Sequence, residues 1–475
     1  MMPLERRHFY INGQWVSPSD TSRNIPVYSS VTEEVLETVP AGNARDVDEA
    51  VRAASAAFPH WSRLSVAERA GYLRRMSEAL KARADVLAPL ISEEVGMPIE
   101  GATGYQSLRA AEFLGTFADI AESFEFEEKI GDSLVVKEPV GVVAAISPSN
   151  FPLLLTLVKV GPALAAGCTI VVKPPETAPG TLFHLAEVAH EVGLPPGVLN
   201  LITGYGPEVG EPLATHPMVD MISFTGSTGV GRRLLELGSQ TIKRAHLELG
   251  GKSAAIVLDD ANLEESLRSI VGQAFINSGQ VCFAWSRVLV PKHLLSESEE
   301  VLRSVIGEFR VGNPLDPETT LGPIVTHAAR ERVRSYVNDA VNDGARIVTG
   351  GPDAPASMQR GYYVAPTVVS GVDNSMRIAQ EEIFGPVVSL ISHDGDDDAV
   401  RIANDSIFGL HGAVFSADHD RAIHVARGMR TGQVDLNGFK LGMYAPFGGF
   451  KQSGIGRELG VYGLSEYLEV KSIQL

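Results

Sequence analysis

The chain has 475 residues, of which 44% are apolar and 21% charged. That length is too great for one hydrophobic core, and the composition is ordinary for a globular protein of two or three domains. A net charge of −18 argues against nucleic acid or an anionic membrane as the main partner, and two cysteines cannot form a disulfide framework.

In chain order, residues 8–40 read as short extended segments with turns. Residues 44–121 turn helical, with apolar residues three and four apart over 50–58, 65–84 and 84–95, and with Ser65 and Glu68 in capping-box spacing. Residues 130–148 are β-rich, and the break over 137–141 predicts a hairpin turn. The apolar stretch 151–170 is interrupted by Lys159, Gly161, Pro162 and Gly167, so it does not read as a membrane span. Strands are then predicted at 170–173, 198–202 and 221–224, with helices at 182–192 and 229–237. A second series follows, with strands at 254–258 and 287–290 around a helix at 264–276, and a last extended segment at 466–475. Alternating strands and helices imply α/β architecture with parallel sheets covered on both faces. No secretory leader is visible at the N-terminus, and free thiols suit a reducing compartment, so a cytoplasmic location is expected.

Three segments suggest a ligand cleft. Phe224-Thr-Gly-Ser-Thr-Gly-Val-Gly231 lies between a strand and a helix, where glycines admit a close ligand and a helix start favours phosphate. Its spacing is not the usual G-x-G-x-x-G, and such a segment can also be a plain strand–helix turn. In Val171-Val-Lys-Pro-Pro-Glu176, Lys173 ends a strand and Glu176 could accept both hydroxyls of a ribose, or the two could be a surface ion pair. Leu247-Glu-Leu-Gly-Gly-Lys252 places a carboxylate, Glu248, beside a glycine pair.

Cys282, in Gly279-Gln-Val-Cys282, is the candidate nucleophile. A thiol is mostly protonated near neutrality and needs a base, for which Glu248 is the candidate. Asn150, in Pro148-Ser-Asn-Phe-Pro152, and the Cys282 amide could donate to an oxyanion. Cys168 opens a core strand and reads as structural. His411, His419 and His424 lack metal-ligand spacing and are expected to be solvated surface residues, so no metal is expected. No Gly-x-Ser-x-Gly occurs, which argues against a serine hydrolase.

Together these segments, with Glu381-Glu-Ile-Phe-Gly-Pro386 and Pro446-Phe-Gly-Gly-Phe-Lys-Gln-Ser-Gly454, resemble the NAD(P)-dependent, hydrolytic aldehyde dehydrogenases over nearly the whole chain. The resemblance implies an α/β fold of that family. A Rossmann-variant NAD-binding domain would span 1–119 and 140–250, and an α/β catalytic domain 251–454. A β oligomerisation arm would span 120–139 and 455–475, building dimers or tetramers. It implies Cys282 as nucleophile, Glu248 as general base, Asn150 at the oxyanion, and Lys159 with Glu458 as a proton relay. It places NAD, with NADP as the alternative, against Ile146, Ser147, Lys173, Glu176, Gly206, Phe224, Gly226, Ser227, Leu249, Gly250, Glu382 and Phe384. Phe151, Val281, Phe283 and Phe447 would line the aldehyde tunnel. Ser149 departs from the tryptophan usual before the oxyanion asparagine, which bears on cofactor-pocket packing.

The implied reaction is oxidation of an aldehyde to an acid through a cysteine thiohemiacetal and thioester. The alternatives are transfer of the acyl group to coenzyme A, or a non-catalytic protein on the same scaffold. The aromatic residues, and the lack of an evident cation beside Cys282, point to an apolar aldehyde.

Overall fold

The computed structural model describes residues 4–440 and 442–475. Residues 1–3, at the start of the expected cofactor domain, and Leu441, within the expected catalytic domain, lie outside the described residues.

Two large sheets organise the chain. The first has eight strands. Its parallel centre runs Arg244–Glu248, Met221–Thr225, Val142–Ile146, Thr169–Lys173 and Leu199–Leu201. Gly454–Ile455 closes one edge antiparallel, and Phe9–Ile11 with Gln14–Val16 closes the other. The second has seven strands, of which only Arg346–Thr349 is antiparallel. Its parallel members run Thr367–Ser370, Val387–His393, Arg287–Pro291, Ala254–Val257, His411–Phe415 and Gln433–Leu436. Strands such as Val142–Ile146 and Ala254–Val257 are buried at every position because helices cover both faces, which is why they read as unbroken apolar runs.

The helices follow from local chemistry. Val66–Lys81 begins with the expected capping box: Ser65 Oγ accepts from the Glu68 amide, and Glu68 accepts from the Ser65 amide at 2.8 Å. It buries Ala70, Leu73, Met76 and Leu80 along one stripe. Pro152–Ala166 is almost wholly buried, with Pro152 in its first turn and Gly167 as a left-handed C-cap. Inside it, a Cβ on Gly161 would stand 2.7 Å from the Phe117 ring, so that glycine lets the helix Ala110–Ser123 approach. Among the described residues no helix is long and apolar enough to cross a membrane.

The expected turn over 137–141 is not a hairpin. The reversal occurs at Gly131 and Asp132, between the antiparallel strands Glu127–Ile130 and Ser133–Pro139. At Gly141, where φ is 129°, the chain instead leaves this small sheet for the large one. β-rich text on both sides of a glycine does not distinguish a reversal from a crossing between sheets. Leu468–Gln474 completes the small sheet on the other side of Ser133–Pro139.

Candidate active site

In the first sheet, register brings four strand ends to one edge. Ile146 pairs with Lys173 and with Phe224, and Thr225 pairs with Glu248. The C-terminal edge of parallel strands is where ligands collect in open α/β sheets. A cavity of about 400 Å³ opens there, lined by Ile146, Ser147, Lys173, Glu176, Gly206 and Phe224 among others. Lys173 is buried, and its Nζ donates to Glu176 Oε1 at 3.0 Å and to the Pro174 carbonyl at 3.1 Å. Burial pulls the Lys173 amine below its usual range. Ser227 caps the helix Thr228–Gly238, whose first turn therefore faces the same space.

A second cavity, of about 310 Å³, shares Pro148, Ser149, Thr225 and Gly226 with the first. It also takes in Asn150, Ser227, Leu249, Gly250, Glu382, Phe384 and Cys282. The shared walls make one elongated groove that runs from the Lys173–Glu176 pair to the cysteine. Ser149, the departure from the resembling family, sits at the junction.

Cys282 is held by an unusual turn. Asn277 and Ser278 take positive φ of 50° and 57°, and Gly279 follows at 75°. Left-handed backbone at non-glycine residues costs on the order of 1–3 kcal/mol each. The turn is fastened from outside. Asn277 Nδ2 donates to the Asn150 carbonyl at 2.9 Å, and Ser278 Oγ to the Gly322 carbonyl at 2.8 Å. Gln280 Oε1 accepts from the Val325 amide at 2.8 Å. Asn150 is fixed in turn, because its Nδ2 donates to the Gln280 carbonyl at 2.9 Å and Gln106 donates to its carbonyl. Nucleophile and oxyanion candidate thus share one network. The sequence reading missed Asn277, Ser278 and Gln280, although Asn-Ser-Gly is itself a turn signal.

Electrostatics at the site oppose charge. Burial first, then Glu382 and Glu248, push the Cys282 thiol well above its ordinary range. Burial raises Glu382 to about 7, although Gly251 N–H donates to its Oε1 at 3.2 Å. Arg332, on the helix His327–Asn342, shares the cavity with both. Its charge acts on Glu382 and not on the Cys282 thiol. The arginine is fifty positions from the cysteine in sequence, with no local motif to mark it.

Glu248 is absent from these cavity walls. It belongs to a buried cluster with Lys159, Glu458 and His246, in which Lys159 Nζ lies 2.7 Å from Glu458 Oε1. Burial and the neighbouring Glu458 hold the Glu248 carboxyl well above the usual carboxylate range.

Phe151, Val281 and Phe283 pack in one apolar cluster. Phe283 stands edge-on to Phe447 at 5.9 Å and stacks on Phe439 at 5.5 Å. His411 enters this group and is not a surface residue. It is buried, accepts from Trp285 Nε1 at 2.8 Å, and is held neutral by burial, with a pKa of about 3. Its position on the strand His411–Phe415, which is paired on both sides and buried at every position, explains the burial. His419 and His424 are exposed as expected. Cys168 is fully buried, donates to the Tyr467 carbonyl at 3.4 Å, and is pushed up to about 12. Among the described residues no group of three or more histidine, cysteine or acidic side chains could hold a metal.

The aldehyde dehydrogenase family model matches residues 15–473. A 3-succinoylsemialdehyde-pyridine dehydrogenase from a Pseudomonas species is 44% identical, covering 98% of both chains. Geranial dehydrogenase from Castellaniella defragrans is 43% identical over the full length of both. Among solved structures, an aldehyde dehydrogenase C mutant from Pseudomonas syringae, complexed with NAD+ and octanal, superposes with a TM-score of 0.97 at 44% identity, covering 98% of this chain and 96% of that one. The chain belongs to the aldehyde dehydrogenase family. It is an oxidoreductase that converts aldehydes to acids, and its two helix-covered sheets have the fold of that family.

Proposed function

We propose that this chain oxidises an apolar aldehyde with NAD, through a thioester on Cys282 that water hydrolyses. The observation that supports this most directly is the continuous groove from the Lys173–Glu176 pair to Cys282. Its polar groups suit a dinucleotide: a buried amine and a carboxylate at one end, a helix start in the middle, and Glu382 at the far end. Lys173 and Glu176 would hold the adenosine ribose, Gly226 and Ser227 the phosphates, and Glu382 the nicotinamide ribose, with Phe384 beside the ring. Ile146, Ser147, Gly206, Phe224, Leu249 and Gly250 would complete the walls. Arg233, which lines the same cavity, is engaged by Glu211 and Glu236 at 3.0 Å each, so it is already neutralised, which favours NAD over NADP. When bound, NAD supplies the hydride acceptor.

The protein does the rest. Cys282 adds to the carbonyl as a thiolate, and Asn150 donates to the oxyanion of the thiohemiacetal. After hydride loss the acyl group stays on sulfur. Glu248 takes a proton from the attacking water, and Lys159 with Glu458 relays it. Phe151, Val281, Phe283 and Phe447 line the aldehyde's approach. Geranial, in the name of one relative, and octanal, present in the complex of another, are apolar aldehydes and agree with that aromatic lining.

We also divide the chain into a cofactor domain over 1–119 and 140–250, a catalytic domain over 251–454 and an arm over 120–139 and 455–475. A homo-oligomer, dimer or tetramer, in the cytoplasm completes the reading. The small sheet supports the assembly: Val470 is 68% exposed and Ile130 58%, on two strands that each leave an edge open.

The test is NADH formation across a panel of aldehydes, with product measured with and without coenzyme A. Medium-chain and aromatic aldehydes should react best and give free acid without coenzyme A. Cys282→Ala should abolish NADH formation. Turnover by that variant, or acid formed only as a coenzyme A ester, overturns the reading.

A further inference from the structure

The helix Pro152–Ala166 begins without a side-chain cap of its own. Its N-cap is Phe151, which has no polar side-chain atom and whose φ of −133° and ψ of 66° are not helical. The first amides of a helix have no intrahelical partner. Leu155 N–H reaches the Phe151 carbonyl at 2.9 Å. One more bond of that kind would join Leu154 N–H to the Asn150 carbonyl, and it is not made. The side-chain amide of Gln106 stands between the two groups instead. Its Nε2 donates to the Asn150 carbonyl at 3.1 Å, and its Oε1 accepts from Leu154 N–H at 3.4 Å. The amide fits only one way round, since turning it over would set oxygen against oxygen and N–H against N–H.

Gln106 reaches this point from a distant part of the chain. It lies in Ala102–Arg109, a π-helical segment that runs straight into the helix Ala110–Ser123. π-helical turns are rare and recur at functional sites. Ser107 Oγ donates to the Ala102 carbonyl, five residues back, at 2.9 Å. Two consecutive polar residues, Gln106 and Ser107, are fully buried in this segment, while Tyr105 and Leu108 on either side are exposed. Ala102 packs in the apolar cluster that holds Phe151 and Val281. The segment therefore meets the site twice, once through that cluster and once through the Gln106 amide.

We propose that Gln106 is a positioning residue for the oxyanion donor. The proposal rests on the reading of Asn150 as that donor. Asn277 Nδ2 donates to the same Asn150 carbonyl at 2.9 Å, from the turn that carries Cys282. Gln106 and Asn277 thus hold one carbonyl together, one from each side of the site. Asn150 Nδ2 gives an N–H to the Gln280 carbonyl at 2.9 Å, which leaves its second N–H for the substrate oxygen. The direction of that N–H follows from how the Asn150 main chain is held, and Gln106 supplies one of the two holds.

An oxyanion donor is worth most when it is in place before the charge develops. Without the Gln106 amide, the Asn150 carbonyl keeps one donor of two and Leu154 N–H loses its partner. The turn at Phe151 can then relax, and Asn150 must be reoriented each time a thiohemiacetal forms. The loss belongs to the step that makes the oxyanion. It does not belong to the hold on the nucleotide, because Gln106 lines neither cavity of the groove.

The experiment compares Gln106→Met, Asn150→Ala and the double variant in the full chain. It measures single-turnover NADH formation with NAD in excess, and NAD affinity from protein fluorescence. Methionine keeps the length of glutamine and removes both hydrogen bonds. Gln106→Met should slow single-turnover NADH formation about tenfold, less than the roughly hundredfold that losing an oxyanion donor costs. NAD affinity should stay as in the unaltered chain. Added to Asn150→Ala, the same change should slow the reaction less than about twofold, because a residue that acts through Asn150 has nothing left to act on. If methionine prevents folding, Gln106→Asn, whose amide is too short to bridge both groups, carries the same comparison. An unchanged rate in Gln106→Met, with Asn150→Ala slow, overturns the role of Gln106 alone. An equal loss in both backgrounds, or a loss traced to weaker NAD binding, also overturns it by making the residue merely structural. An unchanged rate in Asn150→Ala removes the oxyanion reading beneath the proposal.

Discussion

At Cys282 the surroundings work against the reactive form. A thiol near about 8.5 is already mostly protonated at neutral pH, and here burial, Glu382 and Glu248 raise it further. The two carboxylates oppose the thiolate because like charges repel, so removing one should lower the thiol pKa. Glu382→Gln should therefore speed alkylation of Cys282 by iodoacetamide at slightly alkaline pH in the absence of nucleotide, measured by mass spectrometry on the full chain. An unchanged alkylation rate would mean that Glu382 does not raise the thiol. Buried Lys252 is another group that the motif named without explaining. Its Nζ has no hydrogen-bond partner, and burial together with Arg287 lowers it to about 7.

The elements were legible where local chemistry sets them. The capping box at Ser65 and Glu68 and the apolar parallel strands could be read from the text because propensity and burial agree there. The hairpin position could not, because Gly131 and Gly141 are both breaks in β-rich sequence and only the pairing partner tells them apart. Nor could His411, whose burial depends on a sheet that pairs its strand on both sides. The site divides in the same way. Cys282, Asn150 and Glu382 lie in contiguous motifs and were visible, whereas Arg332 reaches the cavity from a distant helix. The close crossing of the helices Pro152–Ala166 and Ala110–Ser123 gives the test at this scale. Gly161→Ala puts a methyl against Phe117 and should cost about 1–3 kcal/mol, read as a lower urea midpoint with unchanged slope.

For the whole molecule, the small sheet is the exposed element. Ile473 and Val470 project from the strand Leu468–Gln474 at 43% and 68% exposure. A charge at either position should weaken an assembly built on that sheet. Val470→Asp should lower the mass measured by light scattering, and an unchanged mass would place the interface elsewhere.

The strand that bears Glu248 has for its outer neighbour Gly454–Ile455, and the same stretch of chain runs on through Glu458 and Glu466 into Leu468–Gln474. The floor beneath Glu248 and the edge that the proposed assembly would use are therefore one continuous ribbon. Loosening that rim would disturb acid release while leaving the nucleotide groove intact, so a dissociated subunit would still bind cofactor but turn over poorly.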